Sequence, residues 1–153
     1  MICFLMEKFK VLDISGDVGL TAFGKSKNEV FVNAAIGMYS LITDLDAVAE
    51  KETLTVAIES HSLDGLLVSW LNELIFHFDA YGFIGKKILI DELAHGNDQP
   101  DSLQACKLKA VISGEKFDPE RHDGKLLIKA ATYHMLKIEK TGDTWEIRVI
   151  FDI

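Results

Sequence analysis

Alternation of apolar and polar residues marks strands at both ends of the chain. Residues 9–14 and 18–24 alternate on either side of Ser15-Gly16-Asp17, a pattern typical of a β-hairpin. The same alternation predicts five further strands, at residues 53–58, 87–93, 103–113, 126–139 and 144–151. Thr141-Gly142-Asp143 predicts a hairpin turn between the last two strands.

Helical spacing appears in two stretches between these strands. Ser26 and Glu29 match a capping box, and the apolar positions that follow predict a helix from about residue 27 to 43. A second amphipathic helix is predicted from Ser62 to Gly82, because glycine is a common residue at the end of a helix.

The predicted order, ββαβαββββ, indicates the α+β class. We expect a single domain over residues 1–153, with two helices packed on one face of a largely antiparallel sheet. Residues 94–102 and 114–125 are polar and predict connections between strands.

Composition narrows the class of protein. Acidic residues outnumber basic ones by 24 to 16, giving a net charge of −8, which argues against stable binding to nucleic acid. No apolar run approaches the roughly 20 residues needed to cross a membrane. Cys3 and Cys106 fit no metal or disulfide pattern and suit a reducing cytoplasm. The apolar start, with a second methionine, suggests the hypothesis that the native protein begins at Met6 and not at Met1.

Candidate catalytic residues are few. None of the common phosphate-loop or hydrolase motifs is present, and no two of the five histidines stand at metal-ligand spacing. His134 lies on the apolar row of predicted strand 126–139, which favours a core histidine over a functional one. The charged segment 113–122, which holds Glu115 and His122, has the pattern of a solvated turn.

The last two residues leave two interpretations open. Asp152 stands beside the free carboxylate of Ile153 at the end of an apolar strand. Adjacent carboxylates repel each other unless a positive charge compensates them. The pattern therefore fits either a packed edge strand or one half of a cation site.

Four segments together resemble one family, archease, over essentially the whole chain from about Phe9. They are Gly16-Asp17-Val18-Gly19, Gly114-Glu115-Lys116-Phe117-Asp118 with His122, Lys129-Ala130-Ala131-Thr132-Tyr133-His134-Met135, and Phe151-Asp152-Ile153. The last two motifs are weak alone and highly specific together.

The resemblance implies a non-enzymatic protein of tRNA splicing that activates an RtcB-type RNA ligase by promoting its guanylylation. It implies no catalytic residue, a strand-helix-strand-strand module with an inserted segment, and a divalent metal site usually assigned to calcium. Carried onto this chain, the metal ligands are Asp17, Asp152 and Ile153 through its carboxylate. Such oxygen-only ligation suits calcium, magnesium or manganese better than zinc.

One departure from the family pattern affects the proposed site. The family usually has His-Thr-Ala-Asp at the first turn, whereas this chain has Ile14-Ser15-Gly16-Asp17. The aspartate is kept, and any role of the missing histidine in holding the metal or contacting the ligase is weakened.

Two alternatives stay open. One is a chaperone-like binding module for an RNA-modifying enzyme, such as a tRNA cytosine methyltransferase. The other is an enzyme that acts on a phosphoester with Glu115, His122, His134 and a bound metal.

Overall fold

The computed structural model of the protein describes residues 7–94 and 106–153. Two helices, α1 (Lys27–Ile42) and α2 (Leu63–Tyr81), accompany eight strands and a short 3₁₀ turn at Leu45–Ala47. The strands are β1 (Phe9–Ile14), β2 (Asp17–Gly24), β3 (Glu52–Ser60), β4 (Phe83–Ala94), β5 (Cys106–Lys116), β6 (Ala130–Ala131), β7 (Lys137–Thr141) and β8 (Thr144–Asp152). The α+β class is confirmed.

Both helices begin and end where the sequence predicts. The Ser26 side chain accepts a hydrogen bond from the Glu29 N–H at 3.0 Å, and Ser62 does the same for Gly65 at 2.9 Å. Each bond satisfies one of the backbone donors that a helix N-terminus leaves free. Helix α2 ends at Gly82, whose φ of 73° lies in the left-handed region that glycine adopts without steric cost.

The strands form two antiparallel sheets. The five-stranded sheet has the order β1-β2-β8-β6, with β7 pairing on β8 beyond the end of β6. The three-stranded sheet has the order β3-β5-β4. Since β3, α2, β4 and β5 follow one another in sequence, this strand-helix-strand-strand unit is an insertion between the two halves of the larger sheet.

Both sheets and both helices contribute to one buried apolar cluster. Helix α1 packs against β2 and β8 on one side and against β4 on the other, while α2 covers the three-stranded sheet. Fully buried side chains such as Phe31, Trp70 and Phe151 belong to this cluster. The Trp70 ring N–H donates to the Phe31 carbonyl at 3.1 Å, which links the two helices through a satisfied polar group.

The prediction of one long strand over residues 126–139 is wrong. Only β6 and the start of β7 are strand within it, and residues 132–136 stand opposite only residues 149 and 150 of β8. A turn absorbs the extra residues: the Leu136 N–H donates to the Tyr133 carbonyl at 3.2 Å, and Met135 has a φ of 55°. Alternating side chains continue through this turn, so the sequence pattern does not reveal it.

Other strand boundaries also shift. Strand β4 begins at Phe83 and not at residue 87, and β5 continues to Lys116, into the segment predicted to be irregular. The start of predicted strand 103–113, most of predicted loop 94–102 and residues 1–6 lie outside the described residues.

Candidate functional site

The register of the five-stranded sheet brings Asp17 and Asp152 together. Val18 of β2 pairs with Phe151 of β8, so the next position along the same register places Asp17 opposite Asp152. Residues directly opposite in an antiparallel pair project from the same face with Cβ atoms about 4.5–5.5 Å apart. Two carboxylates that are 135 positions apart in sequence therefore become neighbours.

A cavity of about 140 Å³ lies between these carboxylates and the turn after β6. We call it the carboxylate cavity, and its walls are Asp17, Thr132, His134, Ile150, Phe151 and Asp152. The Thr132 hydroxyl donates to the Ile150 carbonyl at 2.8 Å, which ties the turn to β8. The cavity thus collects residues from the first hairpin, the β6 turn and the end of β8.

Neither carboxylate has a cationic partner in the part of the chain that the structure describes, since no lysine, arginine or histidine salt bridge reaches Asp17 or Asp152. Like charges placed opposite each other on neighbouring strands destabilise a sheet. Among the same residues, no three His, Cys, Asp or Glu side chains are arranged to hold a metal ion. The cavity therefore offers two carboxylates as ligands, and further oxygen donors must come from the backbone, the chain terminus or water.

Ile153 and Ile14 differ from the two aspartates in their placement. Ile153 follows the last residue of β8, is 38% exposed, and is not among the residues that line the cavity. Ile14, at the position of the usual family histidine, pairs with Asp17 across the hairpin and is half-buried. The structure brings Asp17 and Asp152 together and leaves Ile153 at the edge of the site.

The interpretation of His134 as a core histidine is wrong. Its side chain is exposed in the turn between β6 and β7, where it forms part of the cavity wall. The histidine that is buried is His122, with 2% of its surface exposed. The prediction that segment 113–122 is a solvated turn is therefore also wrong, because two of its residues, Glu115 and His122, are buried.

Glu115, Arg121 and His122 form a polar cluster, which we call the Glu115 cluster, in which Glu115 and His122 are buried and Arg121 is exposed. Glu115 Oε2 accepts from the Ala49 N–H at 2.5 Å and lies 3.2 Å from His122 Nε2. The Arg121 guanidinium donates to Glu115 Oε1, and the Asp118 N–H donates to His122 Nδ1 at 2.8 Å. Because Nδ1 is an acceptor, the ring proton resides on Nε2 and is donated to the carboxylate.

The electrostatics of this cluster favour the ionised carboxylate. The Ala49 backbone N–H, followed by the Arg121 and His122 side chains, lowers the pKa of the Glu115 carboxyl from 4.5 to about 2, although burial opposes the shift. Both carboxylate oxygens and both ring nitrogens are engaged. The arrangement fixes the chain after β5 and offers no free base.

A larger cavity of about 510 Å³ opens beside the Glu115 cluster. Three cationic residues in its walls, Lys51, Lys116 and Arg121, are balanced by three carboxylates, Glu52, Glu115 and Asp118. The cavity therefore has no excess charge that would select an ion. Its walls share no residue with the carboxylate cavity, so His134 does not join Glu115 and His122 in one site.

The fold and the carboxylate cavity define a small α+β protein with two neighbouring aspartates on the wall of one cavity. Residues 9–153 match the model of the Archease protein family. The chain belongs to this family.

Relatives of the same family match over nearly their whole length. Protein archease of Methanosarcina acetivorans is 35% identical over 147 residues, covering 96% of this chain and 97% of the relative. Protein archease of Pyrococcus abyssi is 33% identical, covering 97% of this chain and 100% of the relative.

Two solved structures have the same fold. The solution structure of protein 1598 from Methanobacterium thermoautotrophicum matches with a TM-score of 0.78 and 33% identity, covering 97% of this chain and 100% of that one. A Thermotoga maritima crystal structure, described as an archease and possible chaperone, matches with a TM-score of 0.60 and 21% identity over 94% of this chain and 96% of that one. At that identity the second match shows the fold alone.

Neither helix in residues 7–94 and 106–153 is long and apolar enough to cross a membrane.

Proposed function

We propose that this protein is a non-catalytic, metal-binding activator of an RtcB-type tRNA-splicing RNA ligase and promotes its guanylylation. Membership of the archease family supports the general role. The observation that carries the metal site is the placement of Asp17 opposite Asp152, on the wall of one cavity and without a cationic partner in the described residues.

The donor chemistry of the cavity fits a hard divalent cation. Carboxylate oxygens are the ligands that calcium, magnesium and manganese prefer, and calcium takes about 6–8 oxygens. Asp17 and Asp152 would hold the ion, and the terminal carboxylate of Ile153 would supply a third anionic group. When bound, the cation would supply a positive site at which a partner's carboxylate or a nucleotide phosphate can bind.

A non-catalytic role agrees with the chemistry of the remaining polar residues. Glu115 and His122 are buried and bonded to each other. His134 lines the carboxylate cavity with the two aspartates, whereas Glu115 lines the separate, larger cavity. The phosphoester-enzyme alternative would need all three in one site.

The test is a guanylylation assay with the purified cognate ligase, GTP and RNA ends. Asp17→Ala and Asp152→Ala should abolish stimulation while the circular dichroism spectrum stays unchanged. Asp91→Ala, which removes an exposed carboxylate on β4, is the matched control and should stimulate normally. Full stimulation by either site variant would refute the proposal. Deletion of Ile153 is a less clean test because it also alters the end of β8.

A chaperone-like module for a tRNA cytosine methyltransferase is the second candidate. It is compatible with membership of the archease family, which the alternative shares with the first candidate. Affinity capture from native lysate separates the two: recovery of the methyltransferase without the ligase would support the chaperone-like role.

A further inference from the structure

One wall of the carboxylate cavity depends on a very short strand. Thr132 and His134, which line the cavity, directly follow β6, and β6 consists of Ala130 and Ala131 alone. Strand β6 lies at the edge of its sheet and pairs with the end of β8 over these two residues. So short a ladder is marginal by itself, and the position of the wall therefore depends on what supports β6 from its other side.

The side chain of Asn72, on α2, supplies this support. The Thr132 N–H donates to the Ile150 carbonyl of β8 at 3.0 Å, so the adjacent residue Ala131 directs its own N–H and C=O away from β8. Asn72 Oδ1 accepts from the Ala131 N–H at 2.8 Å, and Asn72 Nδ2 donates to the Ala131 carbonyl at 3.4 Å. The amide of Asn72 thus takes the place of a neighbouring strand. Because Ala131 is only 5% exposed, its N–H depends on this partner.

The support reaches the cavity through the next residues of the chain. The Thr132 hydroxyl donates to the Ile150 carbonyl at 2.8 Å and accepts from the His134 N–H at 3.3 Å. Thr132, His134 and Ile150 all line the carboxylate cavity. A shift of Ala131 away from α2 would therefore move the turn that forms this wall.

Strand β6 also holds the main chain of one proposed metal ligand. The Lys129 N–H donates to the Asp152 carbonyl at 2.8 Å, and Asp152 pairs with Ala130. Asp152 is the last residue of β8, so β6 fixes the strand end that carries its carboxylate. Hydrogen bonds that orient metal ligands from outside the coordination shell typically account for a factor of about 10–100 in metal affinity.

The structure assigns to Asn72 the role of a positioning residue for the metal site. Asn72 does not line the carboxylate cavity, and it acts by holding β6 in the position that places the cavity wall and the Asp152 main chain. The inference rests on the proposed metal-binding function and deepens it. It names the side chain through which the inserted strand-helix-strand-strand unit, to which α2 belongs, controls metal affinity.

Isothermal titration calorimetry of the full-length protein with calcium, magnesium or manganese chloride measures this effect. Asn72→Ala and Asn72→Leu should each raise the Kd of the cation that the parent protein binds by at least about tenfold. Asn72→Leu keeps the volume of the side chain and removes only its hydrogen bonds. Circular dichroism establishes that both variants are folded.

Asn33→Ala is the matched control for a loss of stability alone. Asn33 lies on α1, and its Nδ2 donates to the Phe23 carbonyl of β2 at 2.7 Å, which is again a bond from a helix side chain to a strand backbone. Phe23 is roughly 20 Å from Asp17 along β2, at about 3.4 Å per residue. This variant should have a lower Tm and an unchanged Kd for metal. An equal loss of affinity in Asn33→Ala would show that affinity follows general stability, against the inference.

Amide hydrogen exchange followed by NMR tests the position of β6 without metal. In metal-free protein, Asn72→Leu should speed exchange of the Ala131 and Thr132 amides by at least about fivefold, and Asn33→Ala should leave both rates unchanged. Coupling between two sites is reciprocal. Saturating metal should therefore slow exchange of the Ala131 amide in the parent protein by about the factor by which Asn72→Leu raises Kd.

Two results would overturn the inference. One is an unchanged Kd in both Asn72 variants, and the other is unchanged exchange of the Ala131 and Thr132 amides in metal-free Asn72→Leu. If the parent protein binds none of the three cations, the proposed metal site is refuted. The exchange rates of the metal-free proteins then decide by themselves whether Asn72 holds the cavity wall.

Discussion

Neutralising one carboxylate of the carboxylate cavity should change stability in opposite directions with and without metal. Asp17→Asn keeps the shape of the side chain and removes one of two like charges that face each other across β2 and β8. In metal-free protein this should stabilise the fold. In the presence of a divalent cation it should destabilise the fold relative to the parent protein.

The magnitude follows from the register. Two unit charges about 5 Å apart repel by about 0.8 kcal/mol in water and by about 3 kcal/mol at the effective dielectric of a protein surface. Asp152 is exposed and Asp17 half-buried, so the lower value applies, and it agrees with the range for cross-strand pairs. We expect the variant to gain about 0.5–1 kcal/mol without metal, equivalent to about 1–4 °C in Tm.

A bound divalent cation should reverse the order of stability of the parent protein and the Asp17→Asn variant. A ligand present at 100 times its Kd stabilises the protein that binds it by about 2.7 kcal/mol. The parent protein should gain this amount, whereas Asp17→Asn, with half of the side-chain charge of the site, should gain little. The parent protein should then exceed the variant by about 2 kcal/mol.

Urea unfolding followed by circular dichroism, in EDTA and again in calcium, magnesium or manganese, measures both effects. Asp91→Asn removes an exposed carboxylate of β4 and should leave stability unchanged in every condition. A loss of stability in EDTA for Asp17→Asn would show that the two aspartates do not repel each other. A parent protein that none of the three cations stabilises would show that the cavity is not a metal site.

Three further predictions concern the rest of the fold. Gly114→Ala should destabilise the protein by more than about 3 kcal/mol in urea unfolding, because the new Cβ would clash with the Ile84 carbonyl oxygen. The control is Gly142→Ala, whose new Cβ meets no other atom; its positive φ of 62° alone should lower stability by about 1 kcal/mol. The pKa of the Glu115 carboxyl is lowered from 4.5 to about 2 in the folded state. The ionised carboxylate therefore stabilises the fold fully above about pH 4.5, and this stabilisation is lost as the pH falls toward 2. Glu115→Gln should flatten this part of the curve of Tm against pH, and an unchanged slope would contradict the role of the cluster. Tyr39→Phe should leave stability in urea unchanged or raise it by up to about 1 kcal/mol, because the Gly85 backbone lies near this buried hydroxyl without forming a well-aligned hydrogen bond to it, and a clear loss would show that the Gly85 bond is formed.

The elements that depend on local sequence were predictable. Ser26, Ser62 and Gly82 act within one turn of the helix they delimit, and the structure confirms all three. The first hairpin is equally local, because Gly16 supplies the left-handed turn with a φ of 82°. Such signals need no knowledge of the tertiary structure.

The elements that depend on distant partners were not predictable from pattern. Alternation shows that residues form strands but not which strands pair, so two sheets were predicted as one. His122 can be buried because its Nε2 is bonded to the Glu115 carboxylate. That carboxylate also accepts from the Ala49 N–H, 66 residues away in the sequence. The proximity of Asp17 and Asp152 followed from the resemblance to archease, and the register of β2 and β8 provides an independent physical argument for it.

The position of β8 in the five-stranded sheet has a consequence for how the protein is made. Strand β8 pairs with β2, β6 and β7, so it is the strand that joins the first hairpin to the rest of its sheet, and its partners on β2 lie more than 120 residues earlier. The inserted unit from β3 to β5 is continuous in sequence and leaves the ribosome well before β8 does. Chains fold by units as they are synthesised, and long-range pairing comes late. A nascent chain would therefore hold the β1–β2 hairpin without its main partner until β8 leaves the ribosome, whereas the inserted unit has all three of its strands earlier.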